Sequence, residues 1–142
     1  MLTSIRISHI YVFDQDEALD FYVNKLGLEV SSDMNFGPMR WLTVRVPGDP
    51  SREILLEKVA PPSLDPKSAE QMRALISKGA SGFAAGFTTD DIHGLYERLK
   101  ANGVEFTQEP VEQVYGTDIG LRDPFGNQLR ITQMNPEMGG SS

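Results

Sequence analysis

A repeat constrains this chain more than any other feature of its sequence. Phe13, Asp16 and Tyr22 recur as Phe87, Asp90 and Tyr96 at a spacing of 74 residues, and Gly27-Leu28-Glu29-Val30 recurs as Gly103-Val104-Glu105-Phe106 at a spacing of 76. A chain that copies itself at this period folds as two similar units, here with a two-residue insertion expected in the second helix.

Each copy carries the same order of elements. In the first, "SIRISHIYVF" is β-branched and aromatic, which predicts a strand over residues 4–13 buried on both faces. A helix follows, capped by Asp14 or Asp16, with Ala18, Leu19, Tyr22 and Leu26 as its apolar stripe and Gly27 at its C′ position. "LEVSSDMNF", "MRWLTVRVPG" and "REILLEKV" then read as three strands split by turn residues, giving β-α-β-β-β. "APPSLDPKSAEQMRALISKGASG" is a connector with a helix near residues 67–78, after which the pattern restarts. The expected organisation is a first unit over residues 1–60, a connector over 61–80, a second unit over 81–135 and a small polar tail over 136–142.

Bulk properties exclude several classes. The 142 residues are 39% hydrophobic and 23% charged, the profile of a single domain with a substantial core. The formal charge of −7 is spread over both halves, with 6 basic and 9 acidic residues in 1–60 and 7 basic and 11 acidic in 61–142. Nucleic acid and anionic membranes reward clustered Lys and Arg, so neither is an expected partner. No cysteine is present, which removes disulfides, thiolate metal sites and a Cys nucleophile. "MLTSIRISHI" lacks the features of a signal peptide and no stretch approaches the roughly 20 apolar residues of a membrane span, so the expected location is cytoplasmic.

The paired β-α-β-β-β units, "FDQDEALDFYVNKLGLEV", "TTDDIHGLYERLKANGVEF" and the closing "DPFGNQL" resemble the vicinal oxygen chelate (VOC) superfamily over residues 4–134. That group includes glyoxalase I, bleomycin resistance proteins, fosfomycin-resistance enzymes and extradiol dioxygenases. The resemblance implies an α+β fold in which two pseudo-symmetric units curl mixed sheets around a cleft, with helices on the outer faces. It also implies a homodimer with clefts near the subunit interface.

Enzymes of this superfamily typically hold a divalent metal with His or Glu from the first and last strand of each unit, and the metal polarises two substrate oxygens. On this chain the four positions fall on Ile7, Ile54, Ala84 and Arg130; moving the second by one residue brings Glu53 in its place. Aliphatic groups and a guanidinium have no lone pair for a dication, so no metal cofactor is expected at these positions. His9, two residues after Ile7 and on the same face, could take part in a relocated metal site with Glu53, Glu57 or Tyr115. His93 falls on a helix and is expected to be exposed.

Strand parity speaks to Arg130 independently of the resemblance. Asn127, Leu129 and Ile131 alternate with Gln128, Arg130 and Thr132, so the apolar set packs beneath a helix and the polar set faces the cleft. Arg130 then either pairs with an acidic neighbour or binds a ligand. Trp41 in "MRWLT" and Tyr115 in "VYGTD" can stack on a planar molecule or belong to the core. "DPFGN" reads as a hairpin turn, because no helix follows it. "DQDEALD" reads as a solvated helix start.

The leading functional expectation is a metal-free protein of bleomycin-resistance type that sequesters or carries a small, partly aromatic or anionic ligand against His9, Trp41, Tyr115 and Arg130. The alternative is a metal-dependent glyoxalase-like lyase or isomerase, or a dioxygenase, with a relocated site at His9. A third is metal-independent catalysis, with Arg130 stabilising an oxyanion and His9 as general acid or base.

Overall fold

The computed structural model describes residues 1–136, and the end of the polar tail, 137–142, lies outside the described residues. The chain divides after Lys78, and each part has its own four-stranded mixed sheet.

The first unit runs β1 (Ile7–Val12), α1 (Gln15–Leu19), β2 (Glu29–Phe36), β3 (Met39–Arg45), β4 (Glu53–Lys58) and α2 (Pro66–Ser77). Its strand order is β1-β4-β3-β2, with β1 parallel to β4 and the remaining pairs antiparallel. The second runs β5 (Phe83–Thr88), α3 (Ile92–Ala101), β6 (Glu105–Gln113), β7 (Gly116–Arg122) and β8 (Gln128–Met134), in the order β5-β8-β7-β6, again with the first pair parallel. These are the two β-α-β-β-β units of the repeat, in the α+β class.

The helix of the first unit departs from its expected form in two ways. Asp14, not Asp16, is the cap, its side chain accepting from Glu17 N, while Asp16 accepts from Arg40 Nη1 at 2.8 Å. After Leu19 the helix widens into a π-helical stretch, Asp20–Lys25, so Phe21 joins Ala18, Tyr22 and Leu26 in the core and Leu19 is left half-buried. Gly27 ends the element at φ 96°, and Gly103 ends α3 at φ 80°. From cap to closing glycine the first helix spans fourteen residues, Asp14 to Gly27, and the second thirteen, Asp91 to Gly103. The second helix therefore holds no insertion. Its copy is longer because three residues separate Phe87 from the Asp91 cap, whereas Phe13 and Asp14 are adjacent, and the first copy takes up its own extra residue in the π turn.

One face of each sheet packs on its helix. In the first unit Ile10, Val12, Leu42, Val44 and Leu56 are buried with the helix residues; in the second Ile119, Leu121, Leu129 and Ile131 are buried with Ile92 and Leu99. The expectation that β1 is buried on both faces is corrected, since His9 is exposed. The hydrophobic alternation along β1 is hidden in the sequence because both faces carry β-branched or aromatic residues.

Candidate functional site

The turn at "DPFGN" fixes the register of the strand that carries Arg130. Asp123 Oδ1 accepts from the backbone N–H groups of Phe125, Gly126 and Asn127 at 3.0, 2.9 and 2.8 Å, and Gly126 takes φ 114°. The resulting β7–β8 hairpin pairs Arg122 with Gln128, Gly120 with Arg130 and Asp118 with Thr132. Leu129, Ile131 and Asn127 are buried while Gln128, Arg130 and Thr132 are half-exposed, so Arg130 lies on the face away from the helix.

Arg130 is not alone there. Its Nη2 donates to Asp118 Oδ2 at 2.7 Å and its Nε to the same oxygen at 3.3 Å. Tyr115 OH donates to Asp118 Oδ2 at 2.8 Å, and Gln108 Nε2 to Asp118 Oδ1 at 2.9 Å. Gln108 Oε1 in turn accepts from Arg130 Nη2 at 3.1 Å, which closes the network. Asp118 is 1% exposed and the Arg130 side chain 40%. Burial pushes the Asp118 carboxyl up, but the donors from Arg130, Tyr115 and Gln108 outweigh it and hold the group below the usual carboxylate range. The same carboxylate raises the Tyr115 hydroxyl by accepting its hydrogen bond.

The structure therefore brings Tyr115 and Arg130 together through Asp118, a residue the sequence reading missed. A signal was present: Asp118 is the acid on the strand that the "DPFGN" hairpin folds against Arg130. Arg130 Nη1 makes no hydrogen bond to a protein acceptor among the described residues.

In the first unit His9, Tyr11, Leu55 and Glu57 share the face away from the helix, since β1 and β4 pair His9 with Leu55 and Tyr11 with Glu57. β3 pairs Thr43 with Leu55, which places half-buried Trp41 on that face too. His9 Nε2 lies 3.5 Å from Glu57 Oε1, and its ring meets Tyr11 edge-on with centroids 4.5 Å apart. Burial, helped by the Glu57 charge, pushes the Tyr11 hydroxyl up. Thr43 is fully buried, and its hydroxyl has no hydrogen-bond partner among the described residues. His93 is exposed on α3.

The expected metal positions do not form a ligand set. Ile7 pairs in register with Glu53, whereas Ile54 pairs with Ser8 and so lies on the opposite face, the one that buries Leu56 and Val44. The Ile54 placement is thus corrected to Glu53, and this residue is already engaged by Arg6 at 3.6 Å and Ser31 at 3.4 Å. Ala84 falls in a register irregularity, and Gly86 is the partner of Arg130 on β5. Among the described residues no three His, Cys, Asp or Glu converge.

The model of the Glyoxalase/Bleomycin resistance protein/Dioxygenase superfamily matches residues 5–131. The Bacillus subtilis protein YurT is 38% identical over 130 residues, covering 91% of this chain and 98% of its own. The crystal structure of UcmS2 superposes with a TM-score of 0.88 at 39% identity, over 93% of this chain and 98% of that one. TnmS3, described as an antibiotic binding protein from Streptomyces sp. CB03234, superposes with a TM-score of 0.74 at 25% identity, over 94% and 98%. Among the described residues no helix is long and apolar enough to cross a membrane. With the repeat, the two mixed sheets and a family match over nearly the whole chain, this protein belongs to the glyoxalase/bleomycin resistance protein/dioxygenase superfamily.

Proposed function

We propose that the chain is a metal-independent, small-molecule binding member of its superfamily that holds a ligand unchanged, as a sequestering or carrier protein. The carrying observation is Arg130. Standing where a metal ligand is expected, it is locked by Asp118 and Gln108 with Nη1 left for a guest. A guanidinium held in this way loses little freedom when it binds, which favours recognition. Tyr115 sits beside it through Asp118, and His9 and Trp41 supply a polar and an aromatic group on the corresponding face of the first unit. TnmS3, a relative by structure, is described as antibiotic binding, which supports the same class of ligand.

The test is a thermal-shift and equilibrium-dialysis screen against a panel of natural-product antibiotics, with mass spectrometry of the recovered compound. Binding with quantitative recovery supports the reading, and conversion of the compound overturns it in favour of catalysis. The second reading, a lyase, isomerase or dioxygenase with its metal relocated to His9, gains one partner from the 3.5 Å approach of Glu57. Metal content after incubation with zinc, nickel, manganese and iron(II) decides between them: near-stoichiometric metal that is lost in His9→Ala favours the second.

A homodimer accompanies this reading, supported by Met34 and Phe36, 50% and 56% exposed on the edge strand β2. Light scattering at micromolar concentration is expected to give twice the 15.7 kDa chain mass.

A further inference from the structure

β3 is attached to its two neighbours unequally. With β2 it pairs along its whole length, from Arg45 to Met39, but with β4 only at Thr43–Leu55 and Val44–Ile54 among the described residues. In the second unit the counterpart pair, β7 and β8, is joined at every residue from Gly116 to Arg122. The outer part of the β2–β3 hairpin, residues 33–41, thus lies beyond the ladder that ties β3 to the rest of its sheet. Burial changes at the same level. Residues 33–38 are exposed whichever way their side chains point and 39–41 are half-buried, whereas 42–44 are buried.

Gln15, the first residue of α1, fills the gap. Continuing the register past Thr43 would set Leu42 opposite Leu56, Trp41 opposite Glu57 and Arg40 opposite Lys58. Instead the carbonyls of Arg40 and Leu56 both accept from Gln15 Nε2, at 3.0 and 2.9 Å. One side-chain amide therefore bridges the two strands where their rungs stop. A second tie, Arg40 Nη1 to Asp16 Oδ1 at 2.8 Å, is at the surface with the Asp16 side chain 84% exposed, and adds little. The remaining bonds of the Arg40 guanidinium go to Asp33, inside the hairpin itself, and tether nothing.

The hairpin also has a place to bend. β2 carries a register irregularity between Val30 and Ser32, opposite Val44 and Thr43, which are the last two residues of β3 bonded to β4. An extra residue in one strand bends and twists it, so both strands of the hairpin can give at one level. Thr43 is fully buried there with a hydroxyl that has no hydrogen-bond partner among the described residues. An unsatisfied buried hydroxyl costs free energy while the hairpin is down, and water that reaches it as the hairpin lifts offsets part of the cost of opening.

We infer that residues 33–41 form a flap that lifts from β4 about the Ser31 bulge and Thr43, and that Gln15 is its latch. Trp41 rides on the flap, on the face that carries His9, Tyr11 and Glu57, so the latch controls access to that face. The motion belongs to the protein by itself and does not depend on what is bound there.

Trp41 is the single tryptophan of the chain, so its emission reports on the flap alone. In the wild type, urea is expected to raise the acrylamide quenching of Trp41 at concentrations below those that remove the far-UV circular dichroism, as an element that opens locally does. Coincident transitions overturn the inference. Gln15→Leu keeps the bulk of the side chain but loses the amide. Without urea it should raise the quenching constant about two- to threefold with the dichroism unchanged, the loss of two hydrogen bonds shifting the flap toward its open form. Asp16→Ala, which cuts only the surface tie, should leave quenching close to that of the wild type. Unchanged quenching in Gln15→Leu shows that the amide is no latch, and lowered quenching shows that it holds the strands apart; either result overturns the inference. Should Gln15→Leu fail to fold, the two wild-type transitions decide alone.

Discussion

Asp118 accepts four hydrogen bonds from three side chains while almost fully buried, so the two ends of its ion pair are not equivalent. Removing Arg130 strands a buried carboxylate, whereas neutralising Asp118 leaves a cation that water can reach. Arg130→Met is accordingly expected to cost about 2–3 kcal/mol and Asp118→Asn only about 1 kcal/mol, read from urea unfolding at neutral pH. The pH dependence follows from the lowered folded-state pKa of Asp118. Its stabilisation is present above the carboxyl's unfolded value and is lost as pH falls through the folded value, on the acid side of about pH 4. Unfolding free energies measured between pH 2 and 5 should fall less steeply in Asp118→Asn than in the wild type. An equal slope would mean that other carboxyls carry the acid sensitivity.

At the scale of elements, legibility depended on whether the two faces of a segment differ chemically. β8 alternates apolar and polar residues, and its parity, with Arg130 turned from the helix, could be read directly. β4 could not be read this way: Ile54, Leu55 and Leu56 are all apolar, so its period-two signal vanishes, and only the pairing with β1 shows that Glu53 and Glu57 share the face of His9. The π turn was also hidden, since residue types do not announce an i+5 bond. The Asp118 network needs a hairpin register and two side-chain reaches together, which explains why its parts were visible and their assembly was not. Capping gives a clean check on the first helix. Asp14→Ala should cost about 1 kcal/mol, as should Asp91→Ala at α3. Asp16→Ala should change stability little, because its bond to Arg40 is at the surface with the Asp16 side chain 84% exposed.

For the whole molecule, the repeat announced two units of one pattern, and the family match and both sheets agree with it. The net charge of −7 sets a further expectation for any anionic ligand. Long-range repulsion opposes its approach, so added salt should speed association, by about two- to threefold between 10 and 150 mM, the reverse of the usual steering effect. Stopped-flow association rates over that range test this; a rate that falls with salt would point to a local positive field stronger than the overall charge.

The pairing of Arg130 with Asp118 also bears on how such a chain can change over generations. A single step from Arg130 to Glu would set a second carboxylate beside a buried one that has just lost its cation. The two acids would repel, one would take up a proton, and the change would lower stability before any metal was gained. Placing an acid at this position thus requires Asp118 to change first or at the same time. The ion pair therefore acts as a ratchet, holding an arginine at this position once the pair has formed.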